Sequence, residues 1–499
     1  MMHSPIAFIH RLGTFKTLEH LLKEVQAPSD RGSSFAPMPG RLLYVAQSCR
    51  PYDINGYTSR THELLKALHK EEYDIHVLTR TGYPWDRHQT TRPAHISLQQ
   101  AFAGDLSLAS TSEDGITYHH LPSPRNNCFT AIYAARASRT IERFCRVLQP
   151  AVLHAASNHV NALPVLIAAR RLGIPFQYEI RGLWELSRLA KNSAYKNSHN
   201  FQLGLDLEGF VTRHADRVFV ISQELARYAV QNWKIPEDKL ALLPNCVDGK
   251  RFAPQSFAGP VSAAPSPIEE VSSPPARGNQ STCTPTVSSP SRQTDRISNE
   301  TSIFTIGYAG SLLEYEGLDV LLEALHLLQA SRESTPSAPP LPLLRLEIVG
   351  DGDTRGKLEA LTQSLHLEQM VTFLGRVSPE DARKHLDSWS IVCLPRKAYE
   401  VCTLIPPLKL VEAMALAKPV LVPDLPIFRE ETGEHGLFFD AGNPHSLASL
   451  LHSLLVKSAD LPELGAKNRA YVLQHRQWSQ FVPALMKLAC AASYARPGH

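Results

Sequence analysis

The chain is most informative at first through what it lacks. Its eight cysteines, at 49, 128, 145, 246, 283, 393, 402 and 490, form no CxxC and no regular spacing. That excludes a disulfide framework and a cysteine-rich zinc site, and reads as the reduced thiols of a cytoplasmic protein. No apolar run reaches the roughly 18 residues a membrane-crossing helix needs. Near the N-terminus His10, Arg11 and Lys16 interrupt any apolar stretch, so no secretory leader is expected. No dense basic block occurs, and 51 Lys and Arg against 48 Asp and Glu leave a formal charge of only +3. Nucleic acid is therefore not an expected partner.

What remains is ordinary globular composition, 43% hydrophobic and 20% charged, in 499 residues, enough for two or three domains. Residues 1–40 read as an extension in which 7–25 can form a basic amphipathic helix, leaving peripheral contact with the inner membrane face open. Residues 41–253 alternate strand and helix. So do 303–470, and 471–499 read as a closing helical segment. Between the halves, 254–302 is Ser-, Pro- and Thr-rich with Phe257 its only aromatic, a composition that cannot bury enough apolar surface to order itself. Two alternating halves without a GxGxxG fingerprint predict an α/β architecture of two Rossmann-like domains facing across a cleft.

Residues 395–419 are the most specific stretch, PRKAYEVCTLIPPLKLVEAMALAKP. A short apolar run over 390–394 predicts a buried parallel strand, placing Arg396 and Lys397 at the strand end where open α/β sheets bind ligands. Pro406-Pro407 predicts a helix start and a helix to Ala417, with Lys409 and Glu412 on one face. A helix N-terminus and a lysine suit a phosphate, and a carboxylate suits a sugar diol. A plain surface salt bridge is the other reading of that pair. Elsewhere, Asn55-Gly56 predicts a turn opening a helix capped by Thr58 or Ser59, with Gly56 allowing close ligand approach. His154 ends a strand, and Arg181 follows another, where it either binds an anion or pairs with Glu179 or Glu185. Gly350-Asp351-Gly352-Asp353 reads as a strand-to-helix turn, not a metal site.

VEAMALAKPVLVPDLPIFREE, YEIRGLWE and GSLLEYEGL resemble the retaining GT-B glycosyltransferases of family 4 (glycosyl transferases group 1), and within them a bacterial exopolysaccharide and exosortase-associated subgroup. The resemblance covers roughly 41–253 and 303–490. It implies a cytoplasmic, cofactor-free and metal-free hexosyltransferase, moving a sugar from a nucleotide diphosphate to a glycan or lipid-linked acceptor. It implies catalytic roles for Arg396, Lys409, His154 and Arg181, and donor contacts from Gly56, Gly310, Ser311, Gly350, Arg376, Lys397 and Glu412. Four positions depart from the family pattern. Leu404 replaces a glutamate, Ser311 and Glu316 replace phosphate-clamping cations, and Ala156 replaces a histidine. Those departures leave a non-catalytic sugar-binding protein, or a nucleotide-sugar hydrolase or epimerase, as alternatives. Cys246 replaces the glycine of a PNGVD hinge, where positive φ would be strained.

Overall fold

The computed structural model describes residues 5–27, 35–87, 110–254, 303–333 and 342–491. The expected linker after Pro254 lies outside them, as do residues 88–109 and 334–341. The first domain carries β1 (Met38–Ala46), α2 (Gly56–Lys70), β2 (Ile75–Thr79), β3 (Ser110–Glu113), β4 (Ile116–His119), α3 (Thr130–Leu148) and β5 (Pro150–Ala156). It continues through α4 (His159–Leu172), β6 (Phe176–Ile180), α5 (Trp184–Lys191), α6 (His199–His214), β7 (Arg217–Val220), α7 (Gln223–Trp233) and β8 (Leu240–Leu242). Its eight strands run in the order β3-β4-β2-β1-β5-β6-β7-β8. All pairings are parallel except β3 with β4. Strand β5 is buried along its whole length, as expected for a parallel strand covered on both faces.

The second domain contains β9 (Ile303–Ala309), α8 (Leu318–Glu333), β10 (Leu343–Val349), α9 (Arg355–Ser364), β11 (Val371–Gly375), α10 (Pro379–Ser388) and β12 (Ile391–Cys393). Then follow α11 (Glu400–Leu404), α12 (Leu408–Ala415), β13 (Val420–Pro423), α13 (Pro426–Thr432), β14 (Leu437–Phe439), α14 (Pro444–Val456), α15 (Leu461–His475) and α16 (Val482–Ala491). Its parallel sheet has the order β11-β10-β9-β12-β13-β14. Both halves are therefore the α/β units that the alternating pattern predicts.

Among the described residues, three apolar clusters form the core. One fills the second domain, and the other two line opposite faces of the first sheet. Val482, Leu485, Met486 and Ala489 of α16 belong to a first-domain cluster, and Gln177 Nε2 donates to the Leu485 carbonyl at 3.0 Å. Helix α16 thus returns to the first domain. Helix α1 (Pro5–Gln26) buries Leu21 and Val25 in the first domain, and Glu24 pairs with Arg171. This end of α1 packs on protein instead of presenting its apolar side outward. No described helix is long and apolar enough to cross a membrane.

At the seam between the domains, Gln223 N–H donates to Glu430 Oε1 at 2.8 Å. Its neighbour Glu431 is wholly buried, neither carboxylate oxygen has a hydrogen-bond partner among the described residues, and the guanidinium of Arg476 lies 3.8 Å away. Burial pushes the Glu431 carboxyl up to about 7, against the pull of Arg476. A raised value means that the folded state holds the proton more tightly than the unfolded chain. The resulting stabilisation is present in acid and is lost as pH rises to about 7. Glu431→Gln, which cannot ionise, should therefore melt much like the parent at pH 5. At pH 8 it should be more stable by about 2 kcal/mol. Parallel melting curves across that range would show that Glu431 ionisation contributes nothing.

Candidate functional site

Strands β9, β10 and β12 point their C-terminal ends at one corner of the interdomain cleft, and α12 starts there. Gly310 and Gly350 follow β9 and β10 with φ of +156° and +132°. A Cβ on Gly310 would collide with Lys409 Nζ, and one on Gly350 with the Gly310 carbonyl. Gly310 is needed because its backbone passes close to the lysine, and Gly350 because its backbone passes close to that of Gly310. Ser311 is exposed, and its carbonyl accepts from Tyr308 Oη at 2.8 Å.

Lys409 donates to Tyr308 Oη at 2.9 Å and to Glu316 Oε2 at 3.2 Å, with Nζ 4.3 Å from the centre of the Tyr308 ring. Arg396 donates to the same carboxylate from Nη2 at 2.7 Å and Nε at 3.2 Å, and to the Ile405 carbonyl at 2.9 Å. Glu316 is thus the hub of two buried cations. Burial alone would raise its pKa, but Arg396 and Lys409 outweigh it and hold the carboxyl at about 2. Lys409 is pulled below its ordinary value by burial, helped by Arg396 and resisted by Glu316. Two cations sharing one anion leave the cluster one net positive charge at the mouth of the cleft.

Lys397 adds nothing to that surplus, because Asp319 at 2.6 Å and Glu314 at 3.1 Å both hold it. Arg376 is 81% exposed, with Asp351 3.5 Å away. Helix α12 starts after Pro407 with no side-chain cap among the described residues; Leu410 N–H bonds the Pro407 carbonyl at 3.1 Å, which leaves the N–H groups of Leu408 and Lys409 open to an anion. It stops at Ala415, two residues before the expected end, because Ala417 takes a left-handed φ of +56°.

Glu412 lies one turn beyond Lys409 and makes no ion pair with it. The half-buried carboxylate has no hydrogen-bond partner among the described residues. Burial pushes it up to about 7, opposed by Arg251, Lys409 and Arg50 and reinforced by Glu63. Arg251, Arg50 and Glu63 precede the second domain in the chain, so this carboxylate faces across the cleft.

Leu404, where the family pattern has an acid, is buried together with Val401 and Cys402 in a core cluster of the first domain. Ser222 Oγ donates to its carbonyl at 2.6 Å. Helix α11 therefore acts as a plug between the domains, and an ionised side chain at 404 would lie in apolar surroundings. Asn245 Nδ2 donates to the Pro406 carbonyl at 3.1 Å, tying the hinge to the start of α12. Cys246 is buried and is not among the positive-φ residues, so the strain expected there does not arise.

On the first domain, Arg181 is 6% exposed and donates to Glu179 Oε2 at 2.7 Å and Thr61 Oγ1 at 2.6 Å, as well as to Tyr44 Oη. His154 is wholly buried between Gln177 at 3.2 Å and Glu179 at 3.3 Å, stacked on Tyr44. Arg60 reaches the same Glu179 at 2.9 Å and also the carbonyls of Leu243 and Pro244, each at 2.6 Å. The structure therefore places Arg181 and His154 in a closed network beneath the cleft, apart from Lys409 and Glu412, where they can position the cleft wall. Gly56 starts α2 with open space around it. The cap of that helix is Asn55, with Thr58 completing a capping box.

Sequence reasoning did not single out Tyr308, and it saw Glu316 only as an acid where a cation was expected and Glu179 only as one of two candidate partners of Arg181. The available signal for the two carboxylates was burial, which obliges an acid to find a cation.

Residues 55–246 match the glycosyl transferase 4-like domain, and residues 303–457 match glycosyl transferases group 1. Phosphatidyl-myo-inositol mannosyltransferase of Mycobacterium leprae (strain TN) is 29% identical over 175 residues, 35% of this chain. That match spans 42% of the relative's length. Sucrose-phosphate synthase from Thermosynechococcus elongatus superposes with a TM-score of 0.64 at 15% identity, over 91% of this chain and 100% of the other. HepE of Anabaena, in complex with UDP and glucose, gives a TM-score of 0.56 at 14% identity, over 90% and 100% of the two chains. The chain thus carries a glycosyl transferase 4-like domain followed by a glycosyl transferases group 1 domain, in the GT-B fold.

Proposed function

We propose that the chain transfers a hexose from a nucleotide-diphosphate sugar to a glycan or lipid-linked acceptor, with retention, in bacterial extracellular polysaccharide assembly. The observation that carries this reading is the pairing, one turn apart on α12, of a cation cluster with surplus positive charge and an unpartnered carboxylate. In such a donor the ribose hydroxyls are donors and the diphosphate is an anion. Glu412 would accept from the ribose. Lys409, Arg396 and the N–H groups of α12 would face the diphosphate, whose charge grows as the sugar–oxygen bond breaks. Gly310 and Gly350 give that group close approach, Ser311 and the exposed Arg376 line its path, and Lys397 orders the loop through Glu314 and Asp319. Arg181, His154 and the turn at Gly56 would shape the acceptor side. HepE binds UDP and UDP-glucose, which makes UDP the first nucleotide to test.

Melting shifts with UDP, GDP and ADP should show one strong responder, since ligand at about 100 times its dissociation constant adds roughly 2.7 kcal/mol. Sugar turnover with and without glycan acceptors then separates transfer from hydrolysis. No shift with any nucleotide would overturn the reading.

The ionisation of Glu412 supplies a sharper test. A carboxylate is the better acceptor for hydroxyls, so donor KM should fall as pH rises through about 7. Glu412→Gln should raise KM at pH 8 and flatten that dependence, leaving kcat less affected. A pH profile unchanged by the substitution would remove Glu412 from the donor site.

A further inference from the structure

We propose that His159, Glu185 and Glu208 bind a divalent transition-metal ion that fastens the acceptor-side wall of the first domain. The inference is independent of the donor site and departs from the sequence expectation of a metal-free chain. The three side chains come from separate elements. His159 opens α4 after β5, Glu185 lies on α5 after β6, and Glu208 lies in the middle of α6. One ligand atom from each falls within 4.8 Å of the other two, and all three residues are buried. Exposure is 6% for His159, 4% for Glu185 and none for Glu208.

Two carboxylates buried side by side call for a positive partner. Glu208 is already oriented. Its Oε1 accepts from the His159 backbone N–H at 2.8 Å and lies 3.1 Å from His159 Nδ1, and its Oε2 accepts from Tyr178 Oη. Such outer contacts are the kind that fix a metal-binding carboxylate. Glu185 is different, because its Oε2 is buried and no donor among the described residues reaches it. Asn158, in the turn before His159, also keeps a buried Oδ1 without a donor.

The donor set of one imidazole nitrogen and two carboxylates suits zinc, manganese, iron or cobalt(II) better than magnesium or calcium, which prefer oxygen alone. Tetrahedral bonds of about 2.1 Å place donor atoms about 3.4 Å apart, close to the His159–Glu208 spacing. Glu185 would have to swing in by about an ångström on a helix of only eight residues. The ion would then staple the turns after neighbouring strands β5 and β6 to α6. Helix α5 also reaches the second domain, where Lys191 pairs with Asp353 at 3.0 Å. Fastening α5 would therefore steady one wall of the cleft.

The test uses the full chain stripped with EDTA and titrated with zinc(II), with cobalt(II) as the spectroscopic probe. One equivalent should bind, melting should rise, and cobalt should give visible absorption of low-symmetry nitrogen and oxygen coordination. Glu185→Gln should fold but weaken zinc binding at least about 100-fold, and His159→Gln should do the same. Zinc anomalous scattering from the unmodified protein should place the ion among the three side chains, which decides the matter even if a variant misfolds. Binding unchanged in both variants would overturn the proposal, because zinc would then sit on surface histidines. No binding by the parent would also overturn it.

Discussion

Lys409→Ala should lower donor turnover by about 10²–10³-fold, the cost of removing a fixed electrostatic group aimed at developing charge, about 3–4 kcal/mol. The loss should appear in kcat more than in KM, because charge on the departing diphosphate is greatest in the transition state. Stability should change much less. Without Lys409 the Glu316 carboxylate still holds Arg396 at 2.7 Å and 3.2 Å, so no buried charge is left alone. The melting loss should stay near the roughly 1.5–3 kcal/mol of a charged hydrogen bond. Lys409→Arg, which keeps the charge but changes the reach to Glu316 and Tyr308, should recover only part of the rate. A purely structural lysine predicts the opposite, with lower melting and normal kinetics in the surviving folded enzyme. Normal kinetics in Lys409→Ala would sink the assignment.

Much of the fold was legible because strands covered on both faces read as short apolar runs, with helices at helical spacing between them. The α12 pair was legible too, since residues three apart must share a helix face. The partner of Lys409 was not. It is Glu316, 93 residues away, which sequence shows only as an acid where a cation was expected. With the folded chain in view, that acid no longer implies a missing clamp. The positive charge comes from α12 and from the end of β12, and Glu316 holds both cations in place. Leu404 was obscure for a related reason. Its burial is set by the first domain, so nothing local distinguishes a lost contact from a gained interdomain plug. The short helices α5 and α11 were missed because eight and five residues give too few turns for periodicity to register.

The remaining large effect is expected at Glu179, which was seen in sequence only as one of two candidate partners for Arg181. In the structure its carboxylate is 1% exposed and receives Arg60, Arg181, His154 and Tyr44 together. Burial alone would raise its pKa, but Arg181 and Arg60 hold it well below the ordinary carboxylate range. A depressed value means that its stabilisation is present above about pH 4.5 and is lost only as pH falls through that lower folded-state value. Glu179→Gln keeps the shape but leaves two buried guanidinium groups without a counter-charge. The expected cost near neutral pH is about 3–5 kcal/mol. At roughly 2–4 °C per kcal/mol, melting should fall by about 10 °C, and the gap from the parent should narrow in strong acid. Arg60 also holds the hinge carbonyls of Leu243 and Pro244, so loosening it should slow turnover as the cleft wall loses its register. Nucleotide affinity should stay within about twofold, because Lys409 and Glu412 are on the other domain. Calorimetry with nucleotide and melting against pH check both halves. Unchanged melting would mean that the two arginines do not depend on Glu179, and a large loss of nucleotide affinity would move the network into the donor site.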